Sequence, residues 1–369
     1  MKARYFIAFL LLVAGLQQAK AQEAYAVYTS DNTTLTFYYD NQRSSHSGQT
    51  YDMNTGETQP GWKGIGADVT EVVFDASFAN ARPTSAYYWF YGMKKLQSIT
   101  GLSNLNTSEV TSMAYMFRSC GKLTSLDLSS FNTSNVTSMH AMFSSCNGLK
   151  TTLDLSSFNT TNVTDMQEMF YWCGSLPRIN VSSFNTSNVT NMMGMFHNCY
   201  KLDSLDLSSF NTAEVTDMQE MFCECRVLSR LDLSSFNTKK VTNMRSMFDN
   251  CSSLATIYVG KDWSTEALEM SFYNMFMGCR WLVGSAGTTY DSGHTDAAYA
   301  HIDGGPSNPG YLSQKRGDVN LDGTVDIADV TAVLTAMANG SHDPQYRVND
   351  DEVVDIADVT AILTIMAGQ

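Results

Sequence analysis

Twelve consecutive residues near the C-terminal end carry oxygen-bearing side chains at a spacing that suits one kind of chemistry. The run is Asp318-Val319-Asn320-Leu321-Asp322-Gly323-Thr324-Val325-Asp326-Ile327-Ala328-Asp329, with oxygen side chains at positions 1, 3, 5, 9 and 12. Thr324, at position 7, is due to offer its main-chain carbonyl, and Gly323 makes the sharp turn at position 6. A hard cation takes six to eight oxygens, and this spacing is the one that serves Ca²⁺. The first expected metal site is therefore Asp318, Asn320, Asp322, Thr324, Asp326 and Asp329. About 29 residues further on the pattern returns as Asn349, Asp351, Asp355 and Asp358. There, position 1 is Arg347 and position 6 is Glu352. A fixed cation opposes calcium, and losing the glycine strains the turn. The second site is expected to bind weakly or not at all.

Both loops need something to fix their ends, and a helical pattern follows each. Ile327, Val330, Val333 or Leu334, and Met337 recur every three to four residues, with Gly340 beyond them. Val359, Ile362, Leu363 and Met366 repeat the apolar face. A duplicated loop–helix with Asp at position 12, over Gly317–Gly368, resembles a type I dockerin. The resemblance implies a small all-α calcium-loop domain whose loop positions 10 and 11 contact a cohesin-like partner. Those positions are Ile327-Ala328 and Ile356-Ala357, and the same pair in both halves would permit binding in two orientations. The alternative is that the two isoleucines only pack between the helices.

The middle of the chain is built differently. Met-Phe recurs at Met116, Met142, Met169, Met195, Met221, Met247 and Met275, in steps of 26 to 28 residues, with Trp89-Phe90 as a degenerate earlier copy. One copy carries Met195, Phe196, Cys199, Leu202, Leu205, Asp206, Leu207, Phe210, Asn211, Val215 and Met218. The alternation in Leu205-Asp206-Leu207 reads as a short strand, and Val215-x-x-Met218-x-x-Met221 as a single helical or 3₁₀ turn. Neither can bury its apolar side alone, so about eight units must stack into a parallel coil on the order of 40 Å long. The L-x-x-L-x-L core resembles leucine-rich repeats. Its Phe-Asn-Thr…Val-Thr…Met-Phe-x-x-Cys continuation looks like the BspA-like subfamily. The resemblance covers about Tyr87 to Cys279. It implies an α/β repeat solenoid of short parallel strands with single helical turns, serving as a non-catalytic surface protein or adhesin.

In-register stacking turns single residues into ladders. Asn106, Asn132, Asn159, Asn185, Asn211 and Asn237 are expected to be buried amides that satisfy backbone groups at a bend. Several lie in N-x-S/T sequons, but recurrence with the fold period points to structure. Cys120, Cys146, Cys173, Cys199, Cys225, Cys251 and Cys279 occupy one inward position, with Cys223 as an eighth outside it. Disulfides pair unlike positions, so buried free thiols are expected. One Cys per turn without His is a poor zinc site. Asp127, Asp154, Asp206 and Asp232, with Asn180 in line, either bond to the following Ser-Ser backbone or form a binding stripe on the sheet face.

The organisation follows. Residues 1–21 form a leader, with Lys2 and Arg4, the apolar run Tyr5–Leu16 and the small-residue site Ala19-Lys20-Ala21. A β-rich N-terminal cap at 22–86 has strands in Tyr25–Tyr28, Leu35–Tyr39 and Val69–Phe74; its aromatic richness could alternatively make a carbohydrate platform. The solenoid runs over 87–285. A C-terminal cap and linker follow at 286–313, and the dockerin-like domain occupies 314–369. His294 and His301, with Asp291, Asp296 and Asp303, fit no catalytic motif.

A formal charge of −14 argues against nucleic acid and anionic membranes, and no stretch is long enough to span a bilayer. No nucleophile or acid–base constellation stands out. The expectation is a secreted or cell-surface bacterial binding or adhesion protein, not an enzyme, with an unknown protein or glycan ligand on the solenoid. The competing reading is a non-catalytic accessory subunit of a cohesin-organised, polysaccharide-degrading complex.

Overall fold

The computed structural model describes residues 21–269, 274–349, 351 and 353–368. Outside them lie the expected leader, apart from Ala21, and Asp350 and Glu352 of the second loop.

At the N-terminal end, β1 (Glu23–Tyr28) and β2 (Thr34–Asp40) form an antiparallel hairpin. Asn32 turns it with φ of 59°, a conformation that an Asn tolerates. β3 (Gln49–Asp52) adds antiparallel to β1, β4 (Glu71–Phe74) adds parallel to β2, and β5 (Ser98–Thr100) parallel to β4. β5 already belongs to the first solenoid turn, so cap and coil share one sheet edge. Beneath it Phe37 stacks on Phe74 at 4.7 Å and on Trp89 at 5.2 Å, with Trp62 edge-on at 5.3 Å. The aromatic residues of this segment mostly build a core, as a cap must where it closes an apolar coil.

The repeats stack as a parallel solenoid. Short strands form in only some of the repeats: β6 (Leu153–Asp154) pairs with β7 (Ile179–Asn180), and β8 (Arg230–Leu233) with β9 (Thr256–Val259), whereas Leu205-Asp206-Leu207, expected as a strand, is not one. Leu231 and Leu233 are buried with Ile257 and Val259, whereas Leu205, expected inside, is only half-buried against the core.

The other arm departs from expectation. Among the described residues, Val-Thr-x-Met-x-x-Met-Phe-x-x-Cys contains no helical turn. The Met116 and Arg118 amides bond back to the Met113 and Tyr115 carbonyls. Between them, the Tyr115 and Phe117 amides reach out to the His140 and Met142 carbonyls of the next turn. The backbone alternates, with left-handed residues four apart at Tyr115 and Ser119, Ala141 and Ser145, Glu168 and Trp172, and onward. A helix would satisfy its amides internally and leave neighbouring turns unjoined. Here inter-turn hydrogen bonds outweigh the local cost of left-handed residues, on the order of 1–2 kcal/mol each for non-glycines. Five successive parallel bridges link Ser112, Ser138, Asp165, Asn191, Asp217 and Asn243 along this arm.

Inside, stacking repeats the same contact at every turn. Phe117, Phe143, Phe170, Phe196, Phe222, Phe248 and Phe276 stand 5.5–5.9 Å apart, ring over ring. A second column contains Phe131 and Phe158 at 6.4 Å, and Phe184, Phe210 and Phe236 at 6.3 Å. All eight cysteines are free and buried.

The coil ends where Ser313 pairs with Tyr258 of β9. Two helices follow, α1 (Ile327–Ala338) and α2 (Ile356–Ala367). Their core is Val319, Val330, Val333, Val348, Val359 and Ile362.

Candidate calcium loops and recognition surfaces

The asparagine ladder is not what satisfies the bends. Asn132, Asn159, Asn185 and Asn211 are exposed, and Asn106 and Asn237 partly so. Each accepts from the backbone amide two residues on, 3.0 to 3.2 Å away, as an Asx turn. The buried work falls to the neighbouring threonines. Thr186 Oγ1 donates to the Asn211 carbonyl at 2.8 Å and accepts the Asn211 amide at 2.8 Å. Thr107, Thr133, Thr160 and Thr212 do the same for the next turn. A hydroxyl is both donor and acceptor, so one buried threonine can meet the amide and the carbonyl of the same residue one turn on. The signal was in the sequence: Thr follows every one of these asparagines.

The cysteines also act as hydrogen-bond donors. Cys120, Cys146, Cys173, Cys199, Cys225, Cys251 and Cys279 point Sγ at the carbonyl of the preceding turn's ladder Phe, 3.0–3.3 Å away. Burial pushes the thiols of Cys173, Cys225 and Cys279 up to about 12.

On the strand face the acidic ladder serves the backbone. Asp127, Asp154, Asp206 and Asp232 accept from the amides of Ser129, Ser156, Ser208 and Ser234 at 3.0–3.1 Å, and Asn180 from Ser182 at 3.2 Å. These amides hold Asp127, Asp154 and Asp206 below the usual carboxylate range. Half-buried Leu205 lines a shallow depression of about 360 Å³ here, with Arg178, Asn180 and Asp206.

Sequence reasoning missed the outer row of the turn arm. Tyr88, Tyr91 and Tyr115 cluster within 4.4–6.4 Å, with His140 at 4.7 Å from Tyr115. Further along, Tyr171, Trp172, His197 and Tyr200 form a second group. These residues flank the Met-Phe pairs, and only register reveals that they align. His301, by contrast, spends Nδ1 near its own segment's Ile302 carbonyl, and Asp303 is buried with its carboxylate taking the amides of Ala286, Thr288, Gly305 and Gly310. That region holds loops together.

In the first loop Asp318 is buried, and its carboxylate accepts the amides of Asp322 and Gly323 at 3.0 Å each. Asp329, equally buried, takes the amides of Val319, Asn320 and Asp326 at 2.8–3.1 Å. Asp326 caps α1 and forms a capping box with Asp329. Gly323 sits at φ 95°, which only glycine adopts freely. Asn320 Nδ2 donates to Asp322 Oδ2 at 2.8 Å. Burial, with Asp329 and Asp322 adding to it, pushes Asp318 up to about 6. Among the described residues no group of three or more His, Cys, Asp or Glu is drawn around a common point. The loop carboxylates are instead turned to backbone amides. The donor set itself, four carboxylates, a carboxamide and the Thr324 carbonyl, has hard-ion chemistry and fits calcium.

The second loop repeats the frame without its first member. Asp358 takes the amides of Val348, Asn349 and Asp355, and Asp355 caps α2. Asn349 Nδ2 donates to Asp351 at 2.7 Å. Arg347 donates to the His342 carbonyl at 2.9 Å, and among the described residues of this loop none takes the place of Asp318. Ile327 and Ile356 do not pack between the helices: they are 63% and 61% exposed. Ala328 and Ala357 beside them are exposed as well. Two turns on along the same helix face, Leu334 and Leu363 are exposed at matching places.

A family model described as "Mycoplasma protein of unknown function, DUF285" matches residues 84–178 and 173–285, together more than half of the chain. No curated protein matches. Similar solved structures include a leucine rich cell surface protein from Faecalibacterium prausnitzii A2-165, 17% identical, covering 71% of this chain and 86% of that one with a TM-score of 0.33. Leucine-rich repeat proteins from Bacteroides ovatus ATCC 8483 (16% identical, 71% and 92% covered, TM-score 0.19) and Eubacterium ventriosum ATCC 27560 (14%, 69% and 92%, TM-score 0.27) are also similar. Among the described residues no helix is long and apolar enough to cross a membrane.

Proposed function

The chain belongs to the DUF285 family, and from that premise we propose that it is a secreted or cell-surface binding protein. The solenoid recognises a protein or glycan, and the C-terminal dockerin-like module attaches the chain to a cohesin-like partner. The observation that carries this reading is the paired apolar surface of the module. Ile327 with Leu334, and Ile356 with Leu363, stand exposed although the module's own core is complete without them. Residues at i and i+7 share one helix face, so each helix offers a partner the same apolar pair.

In this reading Asp318, Asn320, Asp322, Thr324, Asp326 and Asp329 hold one calcium ion. Its charge offsets the mutual repulsion of four carboxylates and fixes the start of α1, and so the place of Ile327 and Ala328. The loop of Asn349, Asp351, Asp355 and Asp358 is the weaker site. On the solenoid, the depression lined by Leu205 and the aromatic row around Trp172 are the surfaces that offer contacts. A pull-down with the full-length chain as bait, with and without calcium, tests the attachment. Capture of a cohesin-like protein that is lost in Ile327→Asp/Ile356→Asp supports it, and calcium-independent or variant-insensitive capture refutes it. A glycan and protein array with the same chain tests the solenoid. Binding unchanged by Leu205→Asp and by Trp172→Ala would remove both surfaces from consideration.

A further inference from the structure

The first calcium loop does not stand clear of the solenoid. Ser313 completes the sheet edge, its amide donating to the Ile257 carbonyl at 2.8 Å and its carbonyl accepting from Val259 at 3.0 Å. The chain enters the loop only five residues later. There the Lys261 amide, at the end of the last solenoid strand, donates to the Leu321 carbonyl at 2.8 Å. Leu321, position 4 of the loop, sits at φ 59°, an unfavourable conformation for a leucine that needs an external hold. Gly323, position 6, lies on Ser234: a β-carbon there would stand 3.0 Å from Ser234 Cβ. Lys315 ties the two together, its Nζ donating to the Gly323 carbonyl at 2.7 Å and pairing with Asp232 at 2.7 Å. Between them lies a cavity of about 120 Å³. Ser234, 8% exposed, lines it, and its Oγ is buried without a hydrogen-bond partner.

We propose that the first calcium loop is a composite joint, in which the last solenoid turns hold positions 4 and 6 of the loop, so that calcium binding and docking of the module on the solenoid stabilise each other. The inference rests on the calcium reading above and adds to it a role for residues outside the loop. Without the ion, four carboxylates in one short loop repel, and the turn that meets Lys261 and Ser234 loosens. With it, the turn is fixed in the shape that the solenoid surface fits. Coupling of this kind is reciprocal: whatever calcium adds to docking, docking adds to calcium affinity. Lys261, Ser234, Asp232 and Lys315 are then positioning residues, none of them a ligand. The second loop lacks the Asp318 frame and takes no part in this coupling.

Trypsin reads the joint directly, because it cuts after Lys315 and Arg316. In the full chain, calorimetry first establishes whether calcium binds, and digestion with calcium or with chelator then follows the cut at these residues. Calcium is expected to slow it at least tenfold. Ser234→Trp wedges the contact while leaving every ligand and charged residue in the sequence, although the cavity it fills also borders Asp322, Thr324, Asp232 and Lys315. It should abolish the protection and weaken calcium binding by a factor on the order of ten. Asp232→Asn, a gentler change that keeps the acceptor for the Ser234 amide and removes the ion pair with Lys315, should lose part of the protection. No calcium binding in the unmodified chain would defeat the calcium reading itself. Calcium binding with no protection, or full protection and affinity in both variants, would overturn the joint and leave that reading standing.

Discussion

Cys199 Sγ donates to the carbonyl of Phe170, 3.3 Å away and one turn back, although the two residues lie 29 apart in sequence. The amide of Phe170 in turn reaches forward to the Met195 carbonyl at 2.9 Å. A residue of the aromatic column is thus held twice, through its carbonyl and its amide, by the turn that follows it. The cysteine is there as a small apolar body with a weak donor, which is why it recurs without pairing.

This predicts inert thiols. In the native chain, the eight buried cysteines should be slow towards a thiol reagent, because burial both blocks access and raises their pKa. Under denaturing, non-reducing conditions all eight should titrate. Fast native reaction of several, or three or more bridges by mass spectrometry, would contradict the ladder.

The threonine ladder should matter more than the asparagine one. Thr186→Val keeps the shape but leaves an amide and a carbonyl of Asn211 short of their partner in the core. The expected loss is about 1–3 kcal/mol per unmet group, read by denaturant unfolding. Asn185→Ala removes only an exposed Asx turn and should cost less than half as much.

Asp249 should make stability fall as pH rises. Burial, helped by Glu224 and Glu220, pushes its carboxyl from 3.8 up to about 6 in the folded chain, against an opposing hydrogen bond from Ser246. An acid that ionises less readily when folded carries no penalty below about pH 3.8. The penalty grows through the window up to about 6 and is constant above it. Asp249→Asn should therefore raise the melting temperature at pH 7.5, and the gain should vanish as pH falls towards 4. A gain that is largest at low pH would refute the assignment.

Calcium should find one dominant site. Calorimetry on the full chain is expected to show a single strong binding event, with the melting temperature rising on added Ca²⁺, since the ion binds the folded loop and hardly the unfolded one. Asp318→Ala should remove most of that shift, because Asp318 also holds the amides of Asp322 and Gly323. Asp355→Ala should remove much less. Two equal sites, or no response, would mean that the loops have another use.

Much of this protein could be read directly from its residue spacing. A period of 26 to 28 residues forces stacking whatever each unit's local shape, because single units cannot bury their phenylalanines and methionines. The oxygen spacing from Asp318 to Asp329, the helices after each loop and the Arg347 that stands at position 1 of the second loop are equally local, so all were legible in the sequence. The path of the chain within one unit was decided elsewhere. Val215-x-x-Met218-x-x-Met221 has a helical spacing, yet its amides go alternately back along the chain and out to the next turn, a choice that exists only once a next turn is present. The same holds for burial of Thr186 over Asn185, for the half-burial of Leu205, and for the rows around Tyr115 and Trp172. Each depends on what lies one repeat away. The meeting of Lys261 and Ser234 with the loop at Leu321 and Gly323 is the clearest case, since no spacing in the sequence relates groups some sixty to ninety residues apart that only the closing of the coil at Ser313 brings into contact.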